Sequence, residues 1–260
     1  MAVITKESQR SPTRTAGDFR LVRASGAVYV VAWVVGLLVA PSAPSQTDPD
    51  LKVQTFFVHH HTATLIQALL VHGVAAVALA GFVIGLAASP LTPRSGAARS
   101  ILLVTGLAAA AVSLVQVGLE IAINRHVAGG GSASTTASLF HAVNIADTVK
   151  LILLGVMIVA ATRAAEEVHS SRGWLRWLGY VLLPILVVGG IAFVLHSAVL
   201  NAILDLSLLL LLLWVGAVAL RAPRLAGVEV PAPGGPPGAG PDPTQPASVR
   251  RDGVSADRCG

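Results

Sequence analysis

Charge is scarce in this chain. Asp, Glu, Lys and Arg make up 12% of its 260 residues, about half the share of an ordinary soluble domain. Cysteine occurs once, as Cys259, so a disulfide, a Cys-ligated zinc or an iron–sulfur cluster within the chain is excluded. There is no glycine-rich phosphate loop, no HExxH and no GxSxG, and no aspartate-rich pair of the kind that holds a diphosphate through magnesium. Strand-like alternation of polar and apolar residues is also missing, which argues against a membrane β-barrel. Lysine is rare: three residues against fifteen arginines, amid abundant alanine. That bias suits a GC-rich bacterial genome.

What is present is apolar length. Residues 24–40, 62–88, 100–123, 142–162, 177–196 and 199–220 each approach or exceed the roughly 20 apolar residues that cross a bilayer as a helix. The chain from 177 to 220 carries one charge, Asp205, and is too long for one span, so a tight hairpin is expected near 196–201. The expected fold is all-α, a polytopic six-helix transmembrane bundle over 24–220. A polar segment (1–23) precedes it and a Pro/Gly-rich tail (221–260) comes after it. The tail is too polar to fold alone, and no soluble domain fits between the spans.

Arginine sets the expected orientation. Lys6, Arg10, Arg14, Arg20 and Arg23 precede the first span. Arg94 and Arg99 lie in the second connection, Arg163, Arg172 and Arg176 in the fourth, and Arg221 and Arg224 come after the last span. The alternate connections hold only Lys52 and Arg125. Six spans with both termini cytoplasmic satisfy every loop, and five or seven do not. The net charge of +5 therefore reports topology and attraction to the lipid bilayer's anionic head groups, not nucleic acid. The expected location is the bacterial plasma membrane. The first span has the flanks of a signal peptide, but small-residue cleavage sites ending at Ala40 or Ala43 would each be followed by proline, so it is expected to stay uncleaved.

Ionisable residues at membrane depth cost about 2.5–3.5 kcal/mol on insertion scales and usually face the bundle interior. Gln116, Glu120 and Asn124 recur every four residues on one helix face. His141, Asn144, Asp147 and Lys150 recur every three, and this row winds about 60° per step, so His141 and Lys150 face different ways. Asp147 and Lys150 are spaced for an ion pair. His196 and Ser197 lead into Asn201 and Asp205, with Ser197, Asn201 and Asp205 four apart. With both termini inside, all of these sets fall in the extracytoplasmic half, whereas 151–161 and 208–219 are almost purely apolar. A polar pocket open outward and closed inward is expected, with Glu120, Asp147, Lys150 and Asp205 sharing it. The competing reading is a structural ion pair that only holds helices together.

His59, His60 and His61 stand at the start of the second span. Neighbours on a helix point about 100° apart, so these three do not by themselves form a metal site. They read as interfacial residues, and no metal is assigned. His72 lies eleven residues beyond His61, close to three α-turns, and is expected on the same face. As a haem ligand it would lack an evident second histidine at its depth. No cofactor can be named. Gly81 and Gly85 are a small-xxx-small pair that marks helix packing, and Pro184 with Gly189 and Gly190 is expected to kink the fifth span.

Residues 23–29 (RASGAVY), Phe140-His141, and 172–179 (RGWLRWLG) make the layout, over about 20–224, similar to a family of bacterial six-span membrane proteins catalogued as a domain of unknown function. The resemblance implies the six-helix fold and no particular activity.

Three functions stay open on sequence alone. The first is a pocket that binds or transports a small molecule or lipid. The second is an intramembrane enzyme using Glu120, Asp147 or Asp205 as acid or base on a lipid or isoprenoid. The third is an accessory or sensory protein with purely structural charges. The topology itself is testable. A membrane-impermeant thiol reagent added to intact cells should label Ser132→Cys and leave Cys259 untouched, and the reverse pattern would refute the orientation.

Overall fold

The computed structural model describes residues 15–39, 43–168, 173–195 and 198–225. Every regular element among them is helical. In order they are α1 (Thr15–Val39), α2 (Asp50–His59), α3 (His61–Gln67), a π-helical segment (Ala68–Val74), α4 (Ala75–Ala88), α5 (Ala97–Ala128), α6 (Ala133–Glu167), α7 (Gly173–Leu195) and α8 (Ala198–Leu225). Six stretches are long and apolar enough to cross a membrane: Phe19–Val39, His61–Ala88, Ala97–Ala128, Ala133–Glu167, Gly173–Ile191 and Val199–Ala222. The chain is a polytopic, all-α membrane protein with the six spans expected from its apolar runs. Pro184 lies inside α7, which runs as one helix from Gly173 to Leu195, and the hairpin residues His196 and Ser197 lie outside the described residues.

The spans form a closed ring. Each packs on its chain neighbours, α1 on α4, α4 on α5, α5 on α6, α6 on α7 and α7 on α8, and α1 closes the ring against α8. Lipid tails are as apolar as leucine, so close backbone approach rather than water exclusion holds such helices together. Gly81 and Gly85 provide it for α1 and α4. A Cβ on Gly85 would lie 3.2 Å from the Val22 backbone nitrogen and 3.1 Å from its Cγ2, and one on Gly81 would lie 2.6 Å from Ser25 Oγ. Gly26 does the same between α1 and α8, where a Cβ would come 2.6 Å from Ala219 Cβ.

The two ends of the bundle differ. At the end where α6 finishes and α7 begins, Arg176 Nε lies 3.7 Å from Glu166, Tyr180 donates to Glu166 at 2.7 Å, and Arg163 and Arg221 stack over Tyr180 and Trp174. Exposed Trp174 and Trp177 flank these arginines as in an interfacial aromatic belt. The half of the ring nearest this end is filled by Leu79, Phe82, Leu102, Leu154, Met157 and Ile158, all essentially inaccessible.

The opposite, arginine-poor end carries a cap that the apolar pattern does not announce. α2 is only ten residues long and lies across the ends of α5 and α6. Val53 and Phe57 of α2 bury against Ile123, Val127 and Val143, and Gln54 donates to the Gly131 carbonyl at 2.5 Å. α2 begins after a turn in which Asp48 accepts from the Ser45 amide and from Lys52, both at 2.8 Å. Those contacts hold its carboxyl below the usual carboxylate range. At the α5–α6 connection Gly130 takes φ 73°, the left-handed backbone that favours glycine.

Gly85→Leu should separate α1 from α4 and cost about 1–3 kcal/mol, the usual range for overpacking. Denaturation in mixed detergent micelles would read it as a lowered midpoint. Gly118→Ala, with nothing within 4 Å of the added carbon, should not lower the midpoint.

Candidate functional site

The ring encloses a cavity of about 380 Å³ that runs from the cap down to Leu151 and Leu208. Its floor is set by Lys150. Counting inward at 1.5 Å per residue, Lys150 lies roughly 13 Å below His141, well inside the apolar length of α6. The ammonium has three hydrogens and no acceptor, and three acceptors surround it. Asp147 Oδ1 is at 2.5 Å, Gln116 Oε1 at 2.9 Å and His72 Nδ1 at 3.2 Å. Trp33 offers its ring face at 5.6 Å. Gln116 is completely buried, and its amide nitrogen donates to the Val143 carbonyl at 3.2 Å.

This arrangement dictates the histidine tautomer. Because His72 Nδ1 faces an ammonium, it accepts, and the ring carries its proton on Nε2. Nε2 points at Glu120 Oε1 from 3.6 Å, just beyond hydrogen-bond reach. The other oxygen, Glu120 Oε2, is buried and has no partner. One further buried acceptor among the described residues is alone in this way, Gln46 Oε1, and it too belongs to a residue lining the cavity.

Above Glu120 the walls turn polar, then aromatic. Asn124 is buried, donating to the Glu120 carbonyl at 2.8 Å and accepting from Thr64 at 3.2 Å. Asn144 is buried and donates to the Phe140 carbonyl at 2.8 Å. Phe56, Phe57 and Phe140 line the mouth, and Phe57 meets Phe56 and Phe140 edge-on.

Glu120, Asn144, Asp147 and Lys150 thus gather around one space, with Gln116 and Asn124 in the layer beside it. Asn201 lines the cavity from α8. Two expected members stand apart. His141 is exposed, as the winding of its row anticipates. Asp205 is exposed rather than inside with the other charges, which corrects the expectation that all four charges share the pocket. The inward stripe of α8 is Asn201, Leu204 and Leu208, and Asp205 falls on its flank. His196 lies outside the described residues. His59, His60 and His61 sit where α2 breaks into α3, with His60 against the Phe56 ring at 5.0 Å. Among the described residues no group of three or more His, Cys, Asp or Glu is arranged to hold a metal ion.

His72 lies within the π-helical segment Ala68–Val74. His61 is partly exposed at the cap, while His72 is buried against Lys150. Trp33, Gln46 and Thr64 also join the site without a signal in the sequence, since each reads as an ordinary span or loop residue.

Comparison of the chain with family models, with curated proteins and with solved structures finds no match.

Lys150→Met should destabilise the fold by about 3–5 kcal/mol, because it strands the Asp147 charge inside the ring. Lys150→Met with Asp147→Asn should recover most of that loss. Unfolding of the purified variants in mixed micelles checks both, and an unperturbed single variant would show that the ammonium does not hold this part of the bundle.

Proposed function

We propose that this six-span protein resides in the bacterial plasma membrane and binds a small molecule or lipid head group in the cavity beneath α2. The arginine-poor end faces outward by the distribution of positive charge, so the ligand enters from the extracytoplasmic side. One observation carries the reading: the Lys150 half of the buried network is closed, and the Glu120 half is not. A purely structural cluster would satisfy its own groups, since an unpartnered buried polar atom costs about 1–3 kcal/mol. Here Glu120, whose carboxylate has no hydrogen-bond donor among the described residues, lines a space large enough for a small ligand. Pockets of roughly this size with a few convergent polar groups are the usual form of small-molecule sites. The cavity stops at Leu151 and Leu208, above the packed apolar half, which favours binding over conduction in this conformation. The resemblance to a six-span family of unknown function is compatible with this reading and supplies no substrate.

Thiol accessibility tests it. In a Cys259→Ser background, Asn144→Cys and Asn201→Cys should react with a membrane-impermeant methanethiosulfonate applied to right-side-out vesicles. Ile158→Cys, from the packed half, should not. Filling the cavity with Gln67→Trp should slow both reactive positions. Failure of both to react would remove the outward-open pocket.

A further inference from the structure

We infer that the ligand of this cavity is a cation that donates hydrogen bonds, an organic ammonium of small size, seated on Glu120 beneath the aromatic mouth. The inference rests on the cavity being a binding site and adds the chemical class of its occupant.

The argument is a count of donors and acceptors among the described residues. Lys150 has spent all three hydrogens on Asp147, Gln116 and His72. The amide groups of Gln116, Asn124 and Asn144 each donate to a backbone carbonyl. Thr64 donates within its own helix or to Asn124. The Nε2 proton of His72 faces Glu120. Among the described residues the cavity's one ammonium is therefore committed, whereas the Glu120 carboxylate lines the cavity with no donor within hydrogen-bond reach. An anion would find no free cation there. A hydrogen-bond donor on Glu120 completes the site.

Charge points the same way. Among the described residues, four titratable groups line the cavity: His72 from the π-helical segment, Glu120 from α5, and Asp147 and Lys150 from α6. Asp147 and Lys150 neutralise one another across 2.5 Å. His72 is held in its neutral tautomer by the ammonium beside it. Of these four, Glu120 is left without a counter-ion, and a bound ammonium supplies one. Phe56, Phe57 and Phe140 add ring faces of the kind that attract alkylammonium groups.

Protection of a cavity thiol tests the assignment. The reporter is Asn144→Cys in the Cys259→Ser full-length chain, with Asn201→Cys as a second reporter from α8. Its modification by the same thiosulfonate is timed with benzylammonium, benzyl alcohol or phenylacetate present. Benzylammonium should slow the reaction at both reporters, and the alcohol and the carboxylate should not. Glu120→Gln should weaken that protection about tenfold or more, the loss expected of one charge-assisted hydrogen bond, each rate being taken relative to the same variant without ligand. Equal protection by benzyl alcohol or phenylacetate, or protection that survives Glu120→Gln, would overturn the cation and leave the pocket standing. Reporters that never react would overturn both.

Discussion

The bundle is organised around one ammonium ion with three acceptors. Lys150 sits where a bare charge is expensive to insert, and each of its hydrogens reaches a different partner. Each partner comes with a constraint. Asp147, one turn away on the same helix, supplies the counter-charge. Gln116 ties α5 to α6. His72 brings the second span to the same ion from its π-helical segment. π-segments within α-helices often occur at functional sites, and this one carries the imidazole that faces the lysine.

Satisfying Lys150 completely has a second effect. The ammonium holds His72 in a single tautomer and thereby fixes what Glu120 sees, a neutral N–H at 3.6 Å instead of a cation. The lysine thus sets the electrostatics around Glu120 without touching it. The cluster is asymmetric, rigid and neutral below, and open above. Such an arrangement separates the groups that hold the helices from the group free to meet a ligand, although all of them lie within a few turns of one another.

Much of this is legible in the chain. Apolar run length yields the six spans, and arginine placement distinguishes the two ends. The four-residue spacing of Gln116, Glu120 and Asn124 and the three-residue spacing of Asn144, Asp147 and Lys150 place those groups correctly, because α5 and α6 are uninterrupted helices. Nothing in ALLVHGV announces the π-helical turn that carries His72. α2 escapes the apolar pattern because ten residues of mixed polarity are stabilised by docking on α5 and α6 rather than by their own sequence. Asp205 shows a different limit. A four-residue interval narrows the face to within about 40°, which is too coarse to tell the inward stripe of α8 from its flank.

The spans also differ in height. α6 has 35 residues and α7 has 23, roughly 52 and 34 Å at helical rise. Neighbouring walls of one ring therefore ask for hydrocarbon of unequal thickness. Lipid beside α7 meets a wall close to the natural depth of a bilayer, while the α5–α6 pair stands well proud of it and carries the cap. A helix longer than the local hydrocarbon tilts or thickens the membrane around it. The annulus around this protein is accordingly uneven, and a partner helix would relieve most mismatch by settling against the tall side.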